Sequence, residues 1–145
     1  MKPEEVTAAV HQLIPILATM GIEVTEASDG RAAARLPAEP NRNHFGVTYA
    51  GSLFTVAEHL GGVIGMTSIA LDGFVPIVKS MQIDFRRPAT TTVTASVSLS
   101  PDEIETIRST ALAEGKADFN LTCDVVDEAG VIVASTVGAY QIRRI

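Results

Sequence analysis

Between Gly51 and Leu71 the chain can form a helix that is apolar on nearly every side. A helix of that kind has to be enclosed by the rest of the molecule. One carboxylate, Glu58, stands in the middle of the run SLFTVAEHLGGVIGMTSIAL. Burying it as an ion is costly unless something pairs with it. So apolar a stretch can also be read as a membrane span. Glu58, His59, Gly61, Gly62 and Gly65 favour a helix wrapped in protein instead.

The remainder of the chain supplies the wrapping. Pro3–Met20 reads as a helix, with Val6, Val10, Leu13, Leu17 and Met20 on one stripe and a kink or break at Pro15. Ile22–Ala27 and Arg31–Leu36 read as strands around the turn Ser28-Asp29-Gly30. A loop over Pro37–Gly51 leads into the apolar helix. Phe74–Arg87 and Thr91–Ser100 are strands separated by Pro88, and the second alternates strictly. Asp102–Glu114 is a short surface helix stopped by Gly115, and Lys116–Val126 and Val131–Ile142 are strands. The pattern predicts an α+β class: one antiparallel sheet, its last four strands a meander, curled around one apolar helix. This is the hotdog architecture. At 145 residues and 46% apolar, residues 1–145 make one domain. An exposed sheet edge would be covered by edge-to-edge dimerisation.

A net charge of −6 argues against nucleic acid as a partner. The single cysteine, Cys123, permits no internal disulfide and points to a reducing, cytoplasmic setting. The acidic start Met1-Lys2-Pro3-Glu4-Glu5 does not read as a signal peptide. His11, His44 and His59 have no metal-ligand spacing, so no metal site is expected.

Chemistry concentrates at the front of the apolar helix. The loop Asn43-His44-Phe45-Gly46-Val47-Thr48-Tyr49-Ala50-Gly51 is rich in groups that bind or polarise a carbonyl. Backbone N–H groups near Ala50 and Gly51 have no helical partner and form an oxyanion site, reinforced by the helix dipole. Glu58 follows Gly51 by seven residues, nearly on the same face and about 10 Å along the axis. That is far for one reacting carbon. A two-fold dimer that sets the acid of one chain against the helix start of the other repairs the geometry.

Alternation over Ile77–Phe85 puts Lys79 on the apolar face, directed at the helix. An inward lysine needs an anion: Glu58, or a ligand carboxyl or phosphate. The alternatives are an ordinary internal ion pair, or a head that escapes past the strand end. Arg86 and Arg87 could grip phosphate at a strand end, or simply be solvated charges. His44 could line the site or be polar surface. His59 points about 100° away from Glu58 and is expected to be hydrogen-bonded and structural.

The segment Asn43-x-x-Gly46-x-x-Tyr49-Ala50-Gly51-Ser52-Leu53-Phe54-x-x-Ala57-Glu58 resembles hotdog-fold acyl-CoA thioesterases of the phenylacetyl-CoA type. It looks closest to a branch with Tyr-Ala-Gly in place of His-Gly-Gly and glutamate in place of aspartate. The strand end Phe85–Ala89 matches that family's pattern of an aromatic residue, two variable residues and Pro-Ala. The resemblance implies hydrolysis of an acyl-CoA by a homodimer or homotetramer with its site between subunits. No cofactor is implied beyond the CoA that is part of the substrate. It gives Glu58 the role of general base or nucleophile and Asn43 that of orienting water or thioester. It gives the Ala50 N–H, with Gly51 beside it, the thioester carbonyl. Tyr49, His44, Lys79, Arg86 and Arg87 fall where substrate would bind. Tyr49 replaces a frequent histidine, and Val78 falls about where a relative carries a catalytic Ser or Thr. Two rivals compete with this reading. One is a hotdog dehydratase or hydratase, whose acid lies five residues after the last glycine rather than seven. The other is a non-catalytic binder of acyl-CoA or another amphipathic ligand.

Overall fold

The computed structural model describes residues 1–145. The chain opens with α1 (Pro3–Leu13) and α2 (Pro15–Met20), the two halves of the expected first helix. Pro15 has no N–H to continue the ladder, and Ile14 leaves the helical region at φ −134°, ψ 82°. β1 (Glu23–Ser28) and β2 (Arg31–Leu36) form the expected hairpin, with Asp29 and Gly30 both at positive φ. A two-residue turn of that hand matches the twist of the flanking strands.

The central helix comes as three joined pieces rather than one. These are α3 (Ala50–Glu58), α4 (Leu60–Ile64) and a π-helical turn over Gly65–Ile69, with His59 at the joint between the first two. Then follow β3 (Phe74–Phe85), β4 (Val93–Ser98), α5 (Pro101–Glu114), β5 (Lys116–Val126) and β6 (Ile132–Arg144). α5 opens with a reciprocal cap between Ser100 and Glu103 and closes on Gly115 at φ 79°.

All six strands join one antiparallel sheet in the order β1-β2-β4-β5-β6-β3. β4, β5 and β6 run as a meander. β3 does not belong to it: it lies at the far edge and pairs with β6 from Phe74↔Arg144 to Phe85↔Ala134. The segment around Pro88 carries the chain across to β4, so the expected four-strand meander is corrected to three strands. The outer border of β3 has no strand beside it.

The sheet curls around the central helix. Leu53, Val56, Ala57, Leu60, Val63 and Ile64 are buried against Ala34 and Leu36 of β2, Val93 and Ala95 of β4, Leu121 and Val125 of β5, and Ile142 of β6. Each such aliphatic side chain contributes about 1.5–3 kcal/mol by leaving water. Helix and sheet approach most closely at Gly61, where an added Cβ would stand 2.0 Å from the Tyr140 ring. A second close approach is at Gly65, 2.7 Å from Pro76 by the same construction.

Lys79 does not face the helix. The β3–β6 register slips between Val78↔Tyr140 and Ser80↔Ala139, which leaves Lys79 as the extra residue of a β-bulge. Met81, opposite Gly138, packs against the core, while Val78, paired with Tyr140, shares that side of the strand and stays 43% exposed. Lys79 turns outward, is exposed, and donates to Asp118 at 3.1 Å. Strict alternation could not reveal one inserted residue.

Candidate functional site

The loop before α3 is held by its own polar groups. Asn41 is buried and donates through Nδ2 to the carbonyls of Met20 and Pro37. Its own carbonyl accepts from Tyr49 N at 2.7 Å, and Thr48 N donates to Ala89 O at 2.8 Å. Asn43 closes the tip: its Oδ1 accepts from the N–H groups of Phe45 and Val47. Gly46, at φ 79°, makes the turn possible. The Asn43 carbonyl oxygen is therefore engaged in the loop, and its NH2 group is the part left to meet a ligand.

Tyr49 is the N-cap of α3, and its carbonyl accepts from Ser52 and Leu53. The N–H groups of Ala50 and Gly51 have no partner. Ala50 lines a cleft of about 300 Å³ together with Asn43, Leu53, Phe85, Arg87 and Pro88 among others. The Tyr49 ring lies over Gly51, where a Cβ would come within 2.5 Å of it. Glycine is needed there for close approach rather than for an unusual φ. Tyr49 is 57% exposed, and its hydroxyl is unpaired.

Glu58 ends α3, two turns further on, and does not line that cleft. It is half-buried and joins none of the molecule's ion pairs, which are Arg31–Glu26, Arg35–Glu23, Arg42–Glu39 and Lys79–Asp118. Desolvation raises its pKa above the ordinary carboxylate value. An uncompensated, partly desolvated acid on a core helix serves no structural purpose and is a candidate base. One contact on it lay outside the sequence reading: Tyr140 Oη donates to the Glu58 carbonyl at 3.0 Å. A tyrosine on the inward face of a strand, across from helix glycines, was the available sign.

The other expected residues are dispersed. His44 is exposed and leans on Phe45, ring centroids 4.1 Å apart, outside the cleft lining. Arg86 borders the cleft beside Arg87, and its Nε donates to Ser135 Oγ at 2.9 Å, where Ser135 donates to Asp124. Arg87 is exposed, unpaired and at the cleft. Lys79 belongs to the outer face and not to the site. His59 is buried; Nδ1 bonds Thr55 O at 3.2 Å, and Nε2 has no partner. Burial lowers its pKa, so it is neutral near pH 7. The expected hydrogen bond is there, made to the helix backbone one turn back. Cys123 is core, and burial pushes its thiol up to about 11.

A curved antiparallel sheet enclosing a helix, with free amides at the helix start and an acid at its first joint, defines a hotdog protein of the thioesterase superfamily. Residues 3–141 match the family described as a domain of unknown function, DUF4442, and the chain belongs to it. A Pseudomonas aeruginosa protein of unknown function, described as a probable thioesterase, is 33% identical over 100% of this chain and 97% of its own, with a TM-score of 0.92. Two more distant structures share the fold. A Chlorobaculum tepidum protein of unknown function has 19% identity, coverage of 99% and 98%, and a TM-score of 0.86. A Haemophilus influenzae thioesterase has 17% identity, coverage of 95% and 90%, and a TM-score of 0.73. No curated protein matches the chain. No helix is long and apolar enough to cross a membrane.

Proposed function

We propose that this protein hydrolyses acyl-CoA thioesters at a site shared by two protomers. The observation that carries the reading is the central helix itself, which starts with two unpaired amides and holds an uncompensated acid two turns later. The amides of Ala50 and Gly51 polarise the thioester carbonyl, each worth ~3 kcal/mol in the transition state. Glu58, as carboxylate, takes a proton from water attacking that carbon and returns it to the sulfur as the C–S bond breaks, releasing the acid and the CoA thiol. In the direct route its carboxylate forms a C–O bond as the C–S bond breaks and the thiolate leaves to be protonated by solvent; water then cleaves the anhydride, freeing the acid and restoring the carboxylate. The Asn43 NH2 donates to the thioester or the water. Tyr49 shields the amides, and Arg87 meets a CoA phosphate.

Within one chain the acid and the amides are about 10 Å apart along the axis. A two-fold that pairs the open borders of two β3 strands would bring each helix start toward the partner's acid. Phe85, at the end of β3, is 53% exposed, an apolar side chain that such a pairing could shelter.

Glu58→Ala tests the reading by thiol release over a panel of acyl-CoA esters. Turnover is expected to fall about 100-fold or more with the fold retained, and near wild-type hydrolysis would remove Glu58 from the mechanism. One observation favours ligand binding without turnover: the residue paired with Tyr140 on β3 is Val78, which has no hydroxyl to offer. Tight acyl-CoA binding without thiol release, unchanged in Glu58→Gln, would decide for it.

A further inference from the structure

We infer that Tyr140 is a positioning residue for Glu58: by gripping the helix joint at the acid's own carbonyl, it sets where the carboxylate stands. The inference deepens the hydrolase reading above and rests on it.

Tyr140 is 2% exposed, and its one hydrogen bond goes to the Glu58 carbonyl. The ring is fixed on three sides. It fills the notch left by Gly61, where a Cβ would stand 2.0 Å away, and the space left by Gly138, where one would stand 2.6 Å away. On a further side it stacks on Phe119 at 5.5 Å between centroids. A side chain so confined presents its hydroxyl at one point. Burial, with Glu58 nearby, pushes the phenol pKa up, so the hydroxyl keeps its proton and stays a donor.

That point is where the helix changes. α3 stops at Glu58 and α4 starts at Leu60. A side chain bonded to a carbonyl of the helical ladder can tilt it outward, and here the bonded carbonyl is the acid's own. The His59 ring bonds the Thr55 carbonyl one turn earlier, so the joint is held from two sides. Packing alone would be served by phenylalanine. The hydroxyl matters because it reaches the main chain of the reacting residue.

The test compares Tyr140→Phe, Leu17→Ala, Glu58→Gln and the double variant Tyr140→Phe/Glu58→Gln. Each is assayed for kcat, KM and Tm with an acyl-CoA that the wild type hydrolyses. Tyr140→Phe is expected to lower kcat about tenfold with KM little changed, because the acid is displaced and the ligand surface is not. Leu17→Ala, in the core beneath α2, loses packing and lowers Tm at least as much, yet keeps kcat. In the Glu58→Gln background, Tyr140→Phe has no further effect on residual turnover. An unchanged kcat in Tyr140→Phe overturns the inference, as does an equal kcat loss in Leu17→Ala or an additive loss in the double variant. Full activity in Glu58→Gln instead removes the reading on which the inference rests.

Discussion

Two atoms at the start of α3 carry much of the proposed chemistry, and one of them can be deleted with little disturbance. Ala50 is the first helical residue, a position where proline is welcome because its missing N–H has no helical partner. Tyr49 before it sits at φ −60°, ψ 137°, which a following proline tolerates. Ala50→Pro should therefore keep the fold, by circular dichroism and Tm, and lose about a hundredfold in turnover. Glu58 gives the converse. Its raised pKa means that the unfolded chain ionises first as pH rises, so burial of the acid costs stability. That cost is absent below about pH 4, grows as pH climbs toward the folded pKa, and is complete above it. Glu58→Gln should then raise Tm at pH 7, with the gain vanishing in acid, as thermal melts across pH would record. The two groups of the proposed site are conspicuous in the sequence, because a charged residue in an apolar helix and a glycine at its start are visible in one dimension. Tyr140 was hidden, since its meaning depends on a contact with residues about eighty positions away.

Among the elements, helix and strand identities followed from periodicity, and the errors lie where backbone leaves its period. The central helix divides at His59 and widens into a π-helical turn at Gly65, although its apolar pattern is unbroken. β3 gains a residue at Lys79, which reverses the facing of everything on one side of it. Neither event changes composition, so neither was legible. The bulge has a plain consequence for mutation. Lys79 and Asp118 form an exposed pair, and exposed pairs contribute little. Lys79→Ala should leave kcat within about twofold and Tm nearly unmoved, since nothing at the site depends on it. A large loss of turnover would return the lysine to the mechanism.

For the whole molecule the open question is assembly. If the acid and amides of a working site come from different chains, Glu58→Gln and Ala50→Pro protomers are each inactive alone and complementary together. Mixed by unfolding and refolding, they should recover about a quarter of wild-type activity, because half the dimers are mixed and each has one whole site. No recovery, with mixed dimers demonstrated by mass, would place both groups in one chain. The topology that raises this question was only partly foreseeable. A single curved sheet followed from strand count, but the jump of β3 to the border depended on pairing rules that one sequence does not display.

If two such borders pair to complete the site, the open edge of β3 has a kinetic consequence. A catalyst completed by meeting its twin obeys the law of mass action. Its output per molecule would rise with the amount the cell makes and fade on dilution, so that abundance itself becomes the throttle.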